Sequence, residues 1–324
     1  MGDPGRDRSS SRRTVTAFEL AAFLAATLTL LGALCTDQWY WSQFVWWIPW
    51  PLLVLLAMPA ALTAIIARSR ATRNRLGLLA VALVPAVALL VRDVGFHRAP
   101  PPADDEISFV HWNASWPSSS GGSDGSRELL DRKADVIILS NPYKLFADQR
   151  DEQWRRAGYD IVVTGSFAVA SRIPVLEARE IFDSDVGTAA IIRIDTRGRI
   201  GHVLTVLAVD LPSEPMLARM ELAHAFRARL EEHTLPRIDV ITGDCNMTKG
   251  SASLQAMFPS FRNAWNEAGS GIAGSWPRSK PFGRLLMWHI DQLLLGHRVT
   301  ARSYRIIDLG GREHRAQQAR IAAR

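Results

Sequence analysis

Three apolar runs in the first third of the chain constrain its fold more than any other feature. They cover about residues 15–34, 44–67 and 76–92, and Ala, Leu, Val and Trp dominate them. A helix needs about 20 apolar residues to cross the hydrocarbon core of a bilayer. We therefore predict an all-α transmembrane region of three helices within residues 15–95. The alternatives are a cleaved signal peptide at the first run and a buried helical hairpin of a soluble protein.

Arginine is distributed unevenly around these runs. Four arginines lie in the basic tail at residues 1–14, which we expect to be disordered, and four lie at residues 68–75. The loop at residues 36–43 has no Lys or Arg and is rich in aromatic residues. Because cytoplasmic loops carry an excess of Lys and Arg, we predict a multi-pass protein of the plasma or inner membrane with a cytoplasmic N-terminus. The lipid bilayer is then a partner, and the large domain is extracytoplasmic. If the third run does not span, that domain is cytoplasmic.

Residues 96–104 are predicted to be a linker, because consecutive prolines at residues 100–102 favour an extended spacer. Residues 105–324 are enough to bury a core of their own. The net charge of +6 comes largely from arginines in the tail, one short loop and the C-terminal segment, and we interpret the C-terminal arginines as a solvated surface. No basic groove interleaved with aromatic residues is evident, so we predict no nucleic-acid-binding patch.

One strand-end motif stands out in the second half of the chain. An apolar strand ending at Ile241 runs into Gly243, and Asp244 and Asn246 follow. Residues two apart on a strand point to the same side, so the carboxylate and the amide can project together. A carboxylate can accept a proton from water or hold a hard cation, and an amide can bind a phosphate oxygen. A plain strand followed by an Asx turn is the alternative.

Polar residues end several other predicted strands. Strands outnumber helices, and short hairpins mix with longer helical connections, which favours an α+β fold with helices covering sheet faces. Strand ends in layered folds gather at one edge and build a site there. The polar residues at these ends are Asn113, Asn141, Asp210, Asp244 with Asn246, and Asp291.

The order of these motifs resembles that of the endonuclease/exonuclease/phosphatase superfamily, over about residues 105–318. Five matching segments carry the resemblance: His111-Trp112-Asn113, Ser171-Arg172-Ile173-Pro174, Gly243-Asp244-Cys245-Asn246, Ile290-Asp291 and Arg312-Glu313-His314. The resemblance implies a DNase I-like, four-layer α/β/β/α sandwich. Together with the predicted spans, the chain resembles membrane-anchored bacterial members with three N-terminal transmembrane helices.

The resemblance also implies a phosphoesterase that uses Mg²⁺ or Mn²⁺. It implies that Asp244 orients or activates water and that His314 contacts phosphate or transfers a proton. Asn113 and Asn246 would bind the phosphate of the substrate, and Asp291 would support that site. Physical chemistry agrees in outline, since phosphate ester cleavage needs a positioned water and positive charge against the developing oxyanion. The substrate could be a nucleic acid, a lipid headgroup or a phosphorylated metabolite.

Three positions depart from the pattern of the superfamily. Asn141 stands where a metal-holding Glu is expected, Asp210 stands where a catalytic His is expected, and Glu313 replaces a terminal Asp. We assign Asn141 and Glu313 to the metal site and Asp210 to the catalytic group, with Asp210 and Glu313 as candidates to replace the missing ligand charge. The alternative to a phosphoesterase with a partly degenerate site is an inactive member that binds a ligand or partner.

Overall fold

The computed structural model describes residues 4–67, 72–114, 124–142, 150–276, 287–309 and 313–324, and it describes side chains over slightly shorter ranges. Outside the described residues lie the arginine side chains of the predicted tail and of residues 68–75, the Ser/Gly-rich residues 115–123, and Arg312. The chain divides into two compact units, Met1–Asp93 and Val94–Arg324.

The first unit consists of helices α1 (Pro4–Cys35), α2 (Tyr40–Trp46), α3 (Trp50–Ala67) and α4 (Thr72–Asp93). Two segments are long and apolar enough to cross a membrane, Thr16–Cys35 and Leu76–Asp93. The predicted second span is instead a bent pair, because α2 and α3 meet at 63°. Pro49 lies in this break and Pro51 is the second residue of α3, and proline disfavours helical geometry in the residue before it. The described residues therefore offer two candidate spans, or three if the bent pair counts as one.

The expected disorder of the N-terminal tail was wrong, since α1 already begins at Pro4. A proline at the first helical position loses no hydrogen bond, because the amide there has no partner within the helix. Extending an existing helix also costs far less than nucleating one. A long apolar helix can thus carry a polar segment as its first turns.

Burial within the first unit is the reverse of that in a water-soluble bundle. Small residues such as Ala22, Ala57 and Ala82 are fully buried between the helices, whereas Leu34 is 80% exposed and Val91 is 81% exposed. Small residues let helices approach closely, and this is how helices associate where lipid removes the hydrophobic drive between them. Large apolar side chains then face outward, where a bilayer can cover them.

The second unit contains the strands and the remaining helices. Its strands are β1 (Val94–Phe96), β2 (Glu106–Asn113), β3 (Val136–Ser140), β4 (Asp160–Thr164), β5 (Phe167–Ser171), β6 (Val175–Ser184), β7 (Gly187–Ile194), β8 (Leu204–Asp210), β9 (Val240–Asp244), β10 (Arg262–Asn263), β11 (Ser270–Ile272), β12 (Asp291–Leu295), β13 (Val299–Ile307) and β14 (Ala316–Ala323). Its helices are α5 (Asp124–Asp131), α6 (Arg150–Arg156), α7 (Arg197–Ile200), α8 (Arg219–Glu231), α9 (Ala252–Met257) and α10 (Ala264–Ala268).

Two six-stranded sheets form the centre of this unit. The first has the order β13-β14-β2-β3-β5-β4, and the second has the order β10-β12-β9-β8-β7-β6. Among the described strands of these two sheets, only two neighbouring pairs are parallel, β2 with β3 and β8 with β9. A parallel pair brings two carboxyl-terminal strand ends to the same edge. Each sheet therefore presents one such edge, and these edges carry the polar residues singled out in the sequence.

The core has the four layers that the sequence analysis predicted. Apolar side chains of both sheets pack together in the middle, including Phe109 and Ile138 from one sheet and Val206 and Leu293 from the other. Helices α8 and α9 cover the outer face of the second sheet, and α5 and α6 cover the outer face of the first. The fold is therefore an α+β, four-layer α/β/β/α sandwich.

Two segments that we expected to be irregular are strands. Residue 96, the predicted start of the linker, lies in β1, which pairs with β11 in a separate two-stranded ribbon. The C-terminal segment, expected to be a solvated surface, forms β14 and lies between β13 and β2. Its Arg320 is largely buried and pairs with Glu106 at 2.8 Å. A long arginine side chain can reach a carboxylate on the neighbouring strand, so the charge of Arg320 does not exclude a central strand.

Candidate active site

Three aspartates line one edge of the second sheet. Asp210 and Asp244 are the last residues of β8 and β9, and Asp291 is the first residue of β12. Asp244 is the register partner of both of the others, so the three lie side by side on consecutive strands. Neighbouring strands are about 4.8 Å apart, and register partners project to the same face. The fold therefore places the three carboxylates close together.

Gly243 permits this close approach. Its φ of +153° is one that residues with a side chain rarely adopt, and a Cβ built there would lie 1.8 Å from the carbonyl oxygen of Val209 on β8. A side chain at this position would push the two strands apart just before their aspartates. The glycine of the strand-end motif is therefore required by the backbone of the site.

Two asparagines reach the aspartates from the first sheet. Asn113 ends β2 and donates from Nδ2 to Asp244 Oδ2 at 2.9 Å. Asn141 follows β3 and donates from Nδ2 to Asp210 Oδ2 at 2.8 Å and to Asn113 Oδ1 at 3.3 Å. Asn141 has a φ of +51°, a left-handed conformation that asparagine tolerates better than most residues. The two amides therefore link the edges of the two sheets.

Asn246 holds Asp244 from its own loop. Its backbone N–H donates to Asp244 Oδ1 at 3.0 Å, and its Nδ2 donates to the carbonyl oxygen of Leu211 at 2.7 Å. Both carboxylate oxygens of Asp244 thus accept a hydrogen bond, one from each side of the cleft. This fixes the orientation of a carboxylate that is only 3% exposed.

His314 completes the group from the loop before β14. Its Nδ1 lies 2.9 Å from Asp291 Oδ2, and its Nε2 lies 3.7 Å from Asp244 Oδ2. The indole N–H of Trp112 donates to the carbonyl oxygen of His314 at 3.0 Å. Nδ1 therefore donates to Asp291, and the Nε2 edge of the ring is presented to Asp244. This is the arrangement in which a carboxylate orients an imidazole for work at its other nitrogen.

The pKa values of two aspartates are raised. Burial, followed by the charge of Asp291, raises the pKa of Asp244 from 3.8 to about 6. Burial, followed by the charge of Asp244, raises the pKa of Asp210 from 3.8 to about 7. Both effects disfavour the ionised form, because neither a buried charge nor two adjacent like charges are solvated well. The trio is therefore poorly balanced by the protein alone.

The histidine and its partner are shifted in the opposite sense, toward charge. Burial alone would lower the pKa of His314, but the charges of Asp291 and Asp244 outweigh it and raise the pKa to about 9. Burial alone would raise the pKa of Asp291, but the charge and hydrogen bond of His314 hold it below its usual range. At neutral pH the pair is therefore an imidazolium and a carboxylate.

The group has the composition of a site for a hard divalent cation. Single ligand atoms of Asp244, Asp291 and His314 lie within 4.8 Å of one another. Asp291 Oδ1 is buried and has no hydrogen-bond partner among the described residues. A buried carboxylate oxygen without a partner is costly, and a cation would satisfy it. The residues present therefore fit Mg²⁺ or Mn²⁺.

The structure brings together all but one of the predicted site residues. Asn113, Asn141, Asp210, Asp244, Asn246, Asp291 and His314 form one connected group. Glu313, which we had assigned to the metal site, has an exposed side chain. The metal-binding group found among the described residues includes neither Glu313 nor Asp210. The neighbour of Glu313, His314, is only 7% exposed and contacts Asp291, so the chain bends between an exposed and a buried side chain at this point.

Several supporting residues escaped the sequence analysis. The hydroxyl oxygen of Ser275 accepts the backbone N–H groups of Ile290 and Asp291 at 3.2 and 3.0 Å. It thereby fixes the start of β12. The adjacent Trp276 is 36% exposed, and its ring centroid lies 6.5 Å from that of His314. The Gly-Ser-Trp sequence at residues 274–276 was the signal available for both residues.

His111 is a fully buried core residue, and its partners could not be predicted from the sequence. Gln317 Nε2 donates to His111 Nδ1 at 3.0 Å, so Nε2–H of the ring donates to Ser140 Oγ at 3.0 Å. Burial lowers the pKa of His111 to about 4, so the ring is neutral. This bond chain ties β14, β2 and β3 together beneath Asn113 and Asn141. No sequence pattern marks a glutamine as the partner of a histidine 206 residues away.

Comparison with known proteins adds information through the fold alone. No protein-family model and no curated protein matches the sequence. Three solved structures superpose on 67% of the chain. D. rerio TDP2, complexed with a single-strand DNA product, gives a TM-score of 0.52 at 14% identity over 99% of its chain. The second unit has the endonuclease/exonuclease/phosphatase fold.

Two bacterial proteins of this fold give similar values. A mannosyl-6-phosphatase of Bacteroides thetaiotaomicron superposes with a TM-score of 0.53 at 12% identity, over 99% of its chain. An endonuclease/exonuclease/phosphatase family protein of the same organism gives 0.51 at 12% identity, over 97% of its chain. At such identities the likeness establishes the DNase I-like architecture, and the chemistry has to be argued from the site itself.

Proposed function

We propose that this chain is a membrane-anchored, divalent-metal-dependent phosphoesterase whose catalytic domain lies outside the cytoplasm. The observation that carries the proposal is the buried group of Asp244, Asp291 and His314, faced by Asn113 across the edge of two sheets. A water-orienting carboxylate, a charged imidazole and amide donors are the groups that hydrolysis of a phosphate ester requires. The fold is one that nucleases and phosphatases share in the solved structures.

The first unit supports the anchoring part of the proposal. Its two candidate spans and its bent helix pair turn large apolar side chains outward, and its interior is lined with alanine. The distribution of arginine supports a cytoplasmic N-terminus and a cytoplasmic position for residues 68–75. The domain after Asp93 is extracytoplasmic if three segments span and cytoplasmic if only two do. A topology reporter fused after Arg324 distinguishes these two arrangements.

Asp244 is the residue we assign to the attacking water. Its two oxygens are held by Asn113 and by the backbone of Asn246, so the carboxylate presents a fixed edge to the cleft. With a pKa of about 6, it is mostly ionised at neutral pH and basic enough to accept a proton. A bound Mg²⁺ or Mn²⁺ would supply positive charge against the phosphate oxygens, and the carboxylates of Asp244 and Asp291 are placed to hold it.

His314 is the residue we assign to the phosphate. Its pKa of about 9 keeps the ring charged at neutral pH, and Asp291 fixes its orientation through Nδ1. The Nε2–H group can therefore donate to a phosphoryl oxygen as negative charge develops there, and its proton can pass to a leaving oxygen. Asn246 uses one Nδ2 hydrogen on Leu211 and can offer the other to the phosphate.

The test uses the full chain in detergent micelles with Mn²⁺. Hydrolysis of bis(p-nitrophenyl) phosphate, a diester, and p-nitrophenyl phosphate, a monoester, is measured with and without EDTA. The variant Asp244→Asn should lose roughly 10²–10⁴-fold in rate. Asp160→Asn is the matched control, because it removes one carboxylate at an exposed strand start. EDTA should abolish turnover of the wild type, and the control should leave it unchanged.

One observation favours the second candidate function, an anchored binding domain without turnover. Asn141 supplies an amide where the superfamily pattern has a carboxylate, and its Nδ2 is committed to Asp210. A folded protein that hydrolyses neither ester with Mn²⁺ or Mg²⁺ would support that alternative and contradict the phosphoesterase. Folding is checked in the same samples by tryptophan fluorescence.

A further inference from the structure

One carboxylate of this site lies on a different strand from the one that the superfamily pattern indicates. That pattern expects a carboxylate after β3, where this chain has Asn141. The structure shows instead a carboxylate at the end of β8, and Asn141 Nδ2 touches its Oδ2 at 2.8 Å. The two side chains meet across the cleft between the sheets. The carboxylate has therefore been exchanged for an amide on one wall, and the opposite wall carries a carboxylate in contact with that amide.

Asp210 is the one aspartate of the three that forms no ion pair with His314. His314 lies near the other two, at 2.9 Å from Asp291 and 3.7 Å from Asp244. Among the described residues, Asp210 receives the hydrogen bond from Asn141 and makes no ion pair. With all three ionised, three negative charges face one imidazolium. Charges at this spacing repel by several kcal/mol unless a counter-charge lies between them.

A second, independent observation indicates a missing electropositive partner. Asp291 is completely buried, yet its Oδ1 has no hydrogen-bond partner among the described residues. Its carboxylate belongs to the group whose ligand atoms lie within 4.8 Å of one another. Buried carboxylate oxygens are normally paired or coordinate a cation. The unpartnered oxygen therefore belongs to the same cluster of three aspartates, on the strand next to that of Asp244.

We infer that Asp210 supplies the ligand charge that Asn141 lacks, so that a hard divalent cation is held between Asp210 and Asp244 in this protein. Glu313, the other candidate for that charge, is exposed and has no part in the proposed site. The inference rests on the proposed metal-dependent function. It adds that the cation lies toward β8, and that Asn141 turns its Oδ1 toward the cation, because an amide nitrogen cannot ligate a metal.

The inference predicts that the charge can be moved back across the cleft. In Asp210→Asn the site loses one carboxylate, and in Asn141→Glu/Asp210→Asn the carboxylate stands on the opposite wall and touches the same space. The exchange removes one carboxylate and adds another, so it preserves the net charge of the site. Because the two side chains are in contact, the new carboxylate can reach the same cation. Asp160→Asn again serves as the control with an equal loss of charge elsewhere.

The experiment is Mn²⁺ binding to the full chain in detergent micelles, followed by the electron paramagnetic resonance signal of free Mn²⁺. We expect Asp210→Asn to weaken binding at least about tenfold, the double variant to recover most of that loss, and the control to bind as the wild type does. Tryptophan fluorescence confirms that each variant is folded. Wild-type affinity in Asp210→Asn would overturn the inference, as would a double variant no better than Asp210→Asn.

The ester assay keeps this inference separate from the proposed function. If the wild type binds Mn²⁺ and hydrolyses ester but Asp210→Asn binds equally well, the inference alone fails. If the wild type hydrolyses ester without binding Mn²⁺, the inference fails and the phosphoesterase survives without its metal. If it does neither, both fail.

Discussion

The two halves of the candidate site solve the problem of buried charge in opposite ways. On the His314 side, Asp291 and Asp244 surround an imidazolium, and hydrogen bonds from the protein satisfy most of the polar atoms. On the Asp210 side, a carboxylate accepts a hydrogen bond from the amide of Asn141 and lies beside the carboxylate of Asp244. The first half has an imidazolium of the chain beside its carboxylates, whereas the second forms no ion pair among the described residues.

This difference separates what the fold supplies from what a ligand has to supply. The His314 side is preorganised. Asp291 holds the imidazole ring through Nδ1, and the indole N–H of Trp112 holds the backbone carbonyl oxygen of His314. The Asp210 side stores unfavourable electrostatic energy in the absence of a cation, as the raised pKa of Asp210 shows. Preorganisation favours catalysis, and unbalanced charge favours binding of a cation. The two halves should therefore respond differently to substitution.

The largest effect should come from the His314 side, in activity. We expect His314→Gln to lower the rate of ester hydrolysis roughly 10²–10⁴-fold, because it removes a charged donor aimed into the cleft. The matched control is His97→Gln, since the ring of that exposed histidine bonds the carbonyl oxygen of Arg302, in a region away from the three aspartates. A His314→Gln rate within about threefold of the wild type would contradict the assignment, because this loss is far below the general acid range.

The next effect should be in stability, on the same side. Asp291→Asn leaves the buried imidazole of His314 beside an amide, and breaking a buried pair costs about 3–5 kcal/mol in the free energy of unfolding. Urea unfolding of the full chain in detergent, followed by tryptophan fluorescence, measures the change at pH 7 against Asp160→Asn. A loss below about 1 kcal/mol would show that the pair contributes no more than a surface ion pair.

The pH dependence of that effect has a definite sign. The pKa of His314 is raised from 6.5 to about 9, so its contribution to stability is full below pH 6.5 and is lost as the pH rises through about 9. The pKa of Asp291 is lowered from 3.8, so its contribution is present above that value and is lost at lower pH. The difference between wild type and Asp291→Asn should therefore shrink toward both extremes.

The smallest effect should come from the Asp210 side, where a substitution should increase the free energy of unfolding instead of lowering it. The pKa of Asp210 is raised from 3.8 to about 7, so folding disfavours its ionised form, and the cost is greatest above pH 7. In EDTA at pH 8, Asp210→Asn should therefore stabilise the protein by about 1–3 kcal/mol, and in Mn²⁺ the gain should shrink or reverse. A variant less stable than the wild type in EDTA would break the comparison between the two halves.

The sequence was sufficient for those parts of the fold and site that follow from local pattern. Strand periodicity placed Asp244 and Asn246 at a strand end, and the order of motifs predicted the four-layer sandwich that the structure confirms. The same order indicated the residues that the structure gathers at the edge of the sheets. Their roles remain predictions, since geometry places them without testing what they do.

What the sequence could not give depends on contacts between distant residues. The sequence of β14 looks like a polar tail because it contains Gln317 and Arg320. These residues can lie in a central strand because His111 and Glu106, more than 200 residues earlier, bind their polar groups. The turn that exposes Glu313 beside a buried His314 is a property of the folded loop. Pairing of β1 with β11 likewise depends on a partner 174 or more residues away, so the linker could not be bounded from composition.

The most direct test of the account is to locate the cation. Crystals of the full chain grown with Mn²⁺ would give an anomalous scattering peak at the metal. The account predicts a peak within about 2.6 Å of one oxygen of Asp210 and one oxygen of Asp244, with Asn141 Oδ1 turned toward it. A peak coordinated by Asn141 and Glu313, with Asp210 beyond ligand distance, would contradict the claim that the charge of this site has moved across the cleft.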